Sequence, residues 1–222
     1  MINYKEVIVN IDDIYKDLLK EKYSFMIIKF EESNYILTKE KSFFKVNDLN
    51  KFLKEAKNDI YYKTIIKDNN GNVQNKINNN DLELYKAYLN KYRKKIEKNI
   101  YNNKYIFGSV AVKTNDGRFI TTIRGKENLN EYTIVDHVNH ENNIVSVSGK
   151  KATLNAPLLD KLFKNKKVKA IVHINHEYDD KFDYYEYAFP GTKRDKERNN
   201  ETSFNIRHHG VFYLFDEENN IL

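Results

Sequence analysis

Apolar positions along this chain follow two periodicities, and the pattern changes near Ile106. Between 81 and 98, Tyr85, Tyr88, Leu89, Tyr92 and Ile96 recur at helical spacing while Lys and Arg fill the other face, which predicts an amphipathic helix. Ahead of it, "YSFMIIKF" and "NYILTK" predict two strands around a turn at 31–34. "NDLNKFLKEA" predicts a short helix capped by Asn47 or Asp48, with Leu49, Phe52 and Leu53 on one face, and "DIYYKTIIK" predicts a third strand. From Ile106 the period shortens to two. "IFGSVAVKT" and "RFITTI" predict a hairpin across Asn115-Asp116-Gly117, and "YTIVDHV" and "NIVSVS" two strands around the polar turn at 140–142. "NAPLLDKLFKN" predicts a helix with Pro157 in its first turn, "VKAIVHI" a buried strand, and "TSFNIRHHGVFYLF" a broken strand pair.

This succession predicts an α/β fold, a central and largely antiparallel sheet flanked by helices, with an extra N-terminal α+β region. The Asn-rich stretch "KDNNGNVQNKINNN" at 68–80 reads as a linker between regions 1–67 and 81–222. "YILT" at 35–38 falls on "FITT" at 119–122 when Lys29 is set on Lys113, which suggests a degenerate half-repeat or a coincidence of hairpins.

At 222 residues the chain can bury a substantial core. Its net charge of +6 suits polyanions or phosphorylated small molecules, and Lys-rich coding alone yields the same balance. The absence of cysteine excludes disulfides, thiolate chemistry and cysteine-ligated zinc. Acids early in "MINYKEVIVNIDD", and no apolar run approaching the roughly 20 residues that cross a bilayer, predict a cytoplasmic protein without membrane association. No phosphate-cradling Gly-rich loop, serine elbow or nucleic-acid module is present. "KYRKKIEK" and "KRDKER" read as solvated faces able to meet phosphate, and His137 with His140 reads as surface.

The candidate chemistry concentrates in "KAIVHINHEYDD" at 169–180, where a β-branched strand runs into two histidines and three acids. In order, "FGSVAV", "FITTIRG", "YTIVDHV", "APLLDKLF", "VKAIVHINH", "FPGT" and "IRHHGVFYLF" form a series similar to the class II aldolase/adducin-head family over 82–222. That family comprises zinc-dependent sugar-phosphate aldolases and epimerases together with non-catalytic relatives. The resemblance implies a divalent metal, zinc in the family, held by His173 and His209, with Asn175 or His176 standing where a further histidine is expected. Asn is a poor zinc ligand, and strand alternation points residue 176 away from 173 and 175.

The family's acid–base glutamate corresponds to Asn155, an amide that cannot exchange a proton near neutral pH. Glu177 and Tyr178 are the replacement bases within reach along the sequence. Phosphate-binding positions correspond to Ser109, Thr122, Arg124, Gly125 and Thr153, and Ser109 with Thr122–Gly125 is expected to line one shallow basic pocket. The chain ends at "DEENNIL", about where family members begin an interface helix, and the family's habit implies a homo-oligomer. Two main functions follow from the resemblance: a diverged or non-catalytic descendant that keeps a partial metal and phosphate site, or an active metal-dependent aldolase or epimerase with a non-standard base. Nucleic-acid or polyanion binding is the weaker third.

Overall fold

The computed structural model describes residues 11–20, 24–68, 77–101, 105–197 and 201–222. The elements in chain order are α1 (Ile11–Lys20), β1 (Phe25–Phe30), β2 (Ser33–Thr38), β3 (Phe43–Val46), α2 (Leu49–Asn58), β4 (Lys63–Asp68) and α3 (Asn79–Glu97). They continue as β5 (Ile100–Tyr101), β6 (Tyr105–Ile106), β7 (Ser109–Lys113), β8 (Phe119–Thr122), β9 (Tyr132–Asn139), β10 (Ile144–Ser148) and α4 (Ala156–Leu162). The last are β11 (Ala170–Asn175), β12 (Tyr184–Tyr185), α5 (Lys193–Lys196), β13 (Phe204–Ile206) and β14 (Gly210–Phe215). None of the described helices is long and apolar enough to cross a membrane.

The chain forms two compact units, Met1–Glu55 and Ala56–Leu222. In the first, β1, β2 and β3 make an antiparallel sheet. Phe52 of α2 meets Phe25 and Phe44 edge-on, at ring separations of 5.3 and 6.1 Å. Asp48 accepts a hydrogen bond from the Lys51 backbone N–H at 2.9 Å, so it is the cap of α2 among the two candidates.

The second unit is built on a nine-stranded sheet ordered β12-β13-β14-β11-β7-β8-β9-β10-β4. It is antiparallel except at its two ends, where β12 runs parallel to β13 and β4 to β10. Alternation along the strands sends side chains to two cores. Ala111, Phe119, Val135, Ile171, Phe212 and Leu214 pack with Leu158, Leu159 and Leu162 of α4. Val110, Val112, Ile120, Ile134, Val172 and Ile174 pack with Tyr85, Tyr88, Leu89 and Ile96 of α3. The result is three layers, helix on sheet on helix, as the sequence pattern predicts.

The strand read from "DIYYKTIIK" lies elsewhere than expected. It forms the outer strand of the large sheet, and the compact units divide at Glu55/Ala56, ahead of the Asn-rich stretch. Residues 69–76 of that stretch lie outside the described residues. The lead-in to β4 is fixed by contacts with residues far along the chain. Tyr62 N–H donates to Gly191 O at 2.9 Å, Tyr61 bridges Thr192, and Arg194 grips Asp59 through two bonds of 3.0 and 2.9 Å.

Candidate functional site

β11 and β14 meet where both histidines of the predicted metal site emerge. Ala170 to Asn175 of β11 pairs with β14 residue by residue, ending at Asn175 against Gly210. Gly210 adopts φ +139°, and a Cβ there would stand 2.1 Å from Ile174 O, so the two backbones approach as only glycine allows. Arg207, His208 and His209 form the turn between β13 and β14, with His208 at φ +60° and His209 N–H closing onto Ile206 O at 3.1 Å. His209 thereby reaches back over the end of β11.

The His173 and His209 Nε2 atoms lie 3.1 Å apart, and both residues are buried. His173 Nδ1 lies 2.9 Å from Val211 O, a carbonyl that only accepts, so Nδ1 carries the proton and Nε2 presents its lone pair. The His173 ring stacks on Phe212 at 4.0 Å, and Phe212 stacks on Phe204 at 5.1 Å, so a two-ring cross-strand stack fixes its plane. Burial pushes the His173 imidazole down to about 3, so the ring is neutral throughout the physiological range.

A shared tetrahedral ion with bonds of about 2.0–2.1 Å would set two nitrogens about 3.3 Å apart, so this spacing alone admits either an ion or a direct N–H···N bond. The remaining donors decide between them. Asn175 is buried two residues along on the same strand face, where its neutral amide is the nearest further donor group. His176 lies past the strand end at φ +57°, its ring exposed and its N–H donating to His209 O at 2.9 Å. Among the described residues, no group of three or more His, Cys, Asp or Glu is placed to hold a metal ion. A dication here would be buried with neutral donors and no carboxylate, in surroundings that already disfavour an imidazolium. The residues therefore do not fit a three-ligand catalytic zinc centre, and the distance is that of an imidazole–imidazole hydrogen bond with His209 Nε2–H as donor.

Neither replacement base faces this pair. Glu177 is bound by Lys95 of α3 at 2.5 Å, on the opposite side of the sheet from His173, and Tyr178 is exposed and stacks on Tyr184 at 6.0 Å. Asn155 is the N-cap residue of α4, buried, and its Oδ1 has no hydrogen-bond partner among the described residues.

The expected phosphate positions are dispersed. Ser109 shares a strand face with Ala111 on the α4 side, whereas Thr122 shares one with Ile120 on the α3 side. Both hydroxyls are buried without a partner among the described residues. Thr153 N–H donates to Thr122 O at 3.1 Å, Arg124 is exposed, and Gly125 turns at φ +64° beside open space. One shallow pocket lined by Ser109, Thr122 and Arg124 is thus not what these strand faces build.

Sequence reading missed Lys126. Its ammonium is buried, donates to Gly108 O at 2.5 Å, and acts electrostatically on His173. Gly108 itself is pressed so close that a Cβ would stand 2.8 Å from His173 O. Burial lowers the Lys126 amine to about 7. In a chain carrying 38 Lys and Arg, no spacing singled it out.

A stability prediction follows from this depressed amine. The unfolded chain keeps Lys126 charged to about pH 10.4, whereas the folded chain releases the proton near 7. Wild-type stability therefore carries the full cost of the buried charge below pH 7 and recovers as pH rises toward the unfolded value. Lys126→Met should be more stable than wild type at pH 6 by about 1–3 kcal/mol, after the lost bond to Gly108 O is counted. The advantage should shrink by about 1 kcal/mol per pH unit above 7. Urea melts at pH 6, 7.5 and 9 measure it, and a difference that does not change with pH would be inconsistent with a buried titrating amine.

Comparison with solved structures finds YgbL from Escherichia coli, a candidate aldolase/epimerase/decarboxylase, at TM-score 0.44 and 15% identity over 60% of this chain and 79% of that one. The Klebsiella pneumoniae YgbL scores 0.42 at 15% identity over the same shares. An L-fuculose 1-phosphate aldolase scores 0.40 at 14% identity, covering 59% of this chain and 74% of its own. No family model and no curated protein matches the chain. At these scores the matches fix neither family nor reaction, and the functional case rests on the side chains.

Proposed function

We propose that this chain is a diverged relative of the class II aldolase/adducin-head proteins that no longer carries out their metal-dependent reaction and keeps a buried histidine pair as a structural element. The observation carrying this reading is the neutral His173–His209 pair, 3.1 Å apart, with no carboxylate among the described residues placed to complete a metal site. Two further observations support it. Asn155 stands where the resemblance calls for a proton-transferring glutamate, and Asn175 where it calls for a third imidazole. Lys126, in its protonated form, adds positive charge to the same buried neighbourhood and opposes a dication further. The role left to the His173–His209 end of the sheet is binding or assembly, with a phosphorylated small molecule or a second copy as the partner class. The test is turnover of phosphorylated ketoses by purified protein supplied with divalent metal. The proposal expects none above background, and sustained turnover overturns it.

A further inference from the structure

His140, read from sequence as a surface residue, sits instead in a hydrogen-bonded chain. Tyr62, in the lead-in to β4, has its hydroxyl 2.8 Å from His140 Nδ1, and His140 Nε2 lies 2.8 Å from Asp160 Oδ2 on α4. A carboxylate only accepts, so Nε2 carries the proton, Nδ1 presents a lone pair, and the Tyr62 O–H donates to it. Three separate elements converge to make this chain, and the tight backbone bonds around Tyr61 and Tyr62 hold the phenol in place. The Tyr62 ring is buried, while the His140 and Asp160 side chains remain 19% and 25% exposed. The chain thus opens to solvent at its His140–Asp160 end.

Hydroxyl, imidazole and carboxylate in this order are the arrangement that activates a weak nucleophile: a base within hydrogen-bond reach, itself oriented by a third group. The resting states agree with it. Burial and the Asp160 and Glu197 charges push the Tyr62 phenol up, so it keeps its proton, and burial holds His140 below its ordinary value, so it stays an acceptor. Around the chain, Lys164 just past the end of α4 and Lys196 of α5 face His140, and Lys161 is crowded by both. Glu197 and Asp160 are the opposing charges.

We propose that Tyr62, His140 and Asp160 form a nucleophilic site for a small anionic carboxylic ester. Tyr62 Oη bonds to the acyl carbon as its proton passes to His140 Nδ1. The carbon–oxygen bond to the alcohol then breaks, and the departing alkoxide takes that proton. Water, deprotonated by His140, hydrolyses the acyl-tyrosine, releasing the acid and regenerating the phenol. Tyr62 and His140 are the catalytic residues, Asp160 is a positioning residue, and the lysines favour the anionic substrate.

The test is covalent trapping of the full chain with an anionic aryl sulfonyl fluoride, 4-(fluorosulfonyl)benzoate, with peptide mass spectrometry to locate the label. The oxygen–sulfur bond forms, fluoride leaves, and the proton goes to His140. Tyr62 should be labelled ahead of the exposed Tyr178 and Tyr184, and faster by this probe than by neutral benzenesulfonyl fluoride. His140→Gln should slow it by about 10²-fold, and Asp160→Asn should slow it and move its pH midpoint. Labelling of Tyr62 no faster than Tyr178, or indifferent to His140→Gln, overturns the proposal. Should His140→Gln not fold, the wild-type pH profile decides. Labelling should fall through a midpoint below about 6.5, whereas a rate that climbs only as a free phenol ionises, near pH 10, overturns it.

Discussion

Gly210→Ala should be among the most damaging single-methyl changes in the protein. A Cβ at 210 would stand 2.1 Å from Ile174 O and 2.9 Å from both Asn175 Cα and His176 N, all of them backbone atoms of the neighbouring segment. No side-chain rotation relieves such a clash, so β11 and β14 must part. Overpacking and a forbidden φ of +139° together should cost about 3–5 kcal/mol, a large share of the 5–15 kcal/mol that holds a typical domain. Gly117→Ala is the matched control. Its φ is +87°, and no atom lies within 4 Å of the position its methyl would take, so only the backbone term of about 1 kcal/mol applies. Urea denaturation of both variants separates the terms. Equal losses would mean that the close approach setting His209 beside His173 does not exist.

The second large effect is on turnover. General acid–base catalysis contributes about 10²–10⁴-fold, and Asn155 supplies none of it. Metal polarisation adds several kcal/mol in enzymes that use it, and the donor set around His173 does not fit that ion. Such losses are not additive, so their product is an upper bound. Even one alone places turnover of four-to-six-carbon ketose phosphates at least about 10²-fold below the 1–10³ s⁻¹ typical of enzymes. The assay supplies excess zinc, manganese or cobalt in turn. Turnover on the order of 1 s⁻¹ would show that another group supplies the base.

What the sequence disclosed depended on range. The α3 periodicity and the Asn115-Asp116-Gly117 hairpin were legible because neighbouring residues determine them. The position of β4 was not, since its parallel pairing with β10 joins residues about eighty positions apart, a separation that leaves no local signature. His173 and His209 were paired by resemblance, and their meeting depends on the close approach at Gly210, which a lone His-His-Gly triplet does not announce. Lys126 and the Tyr62–His140–Asp160 chain were invisible for a common reason. Each draws its character from burial or from partners on other elements, and residue type alone carries neither.

On the proposed reading, His173 and His209 bond to each other as neutral rings and do not share an ion. A zinc titration of the purified protein, followed through the imidazole ¹⁵N resonances of both residues, tests it most directly. Wild type should keep His173 protonated on Nδ1 and His209 on Nε2, unchanged as zinc is added, while Asn175→His, which supplies the third imidazole, should show saturable zinc binding at these rings. Saturable binding of one zinc per wild-type chain, with both Nε2 resonances moving together, would mean that the two rings share an ion after all.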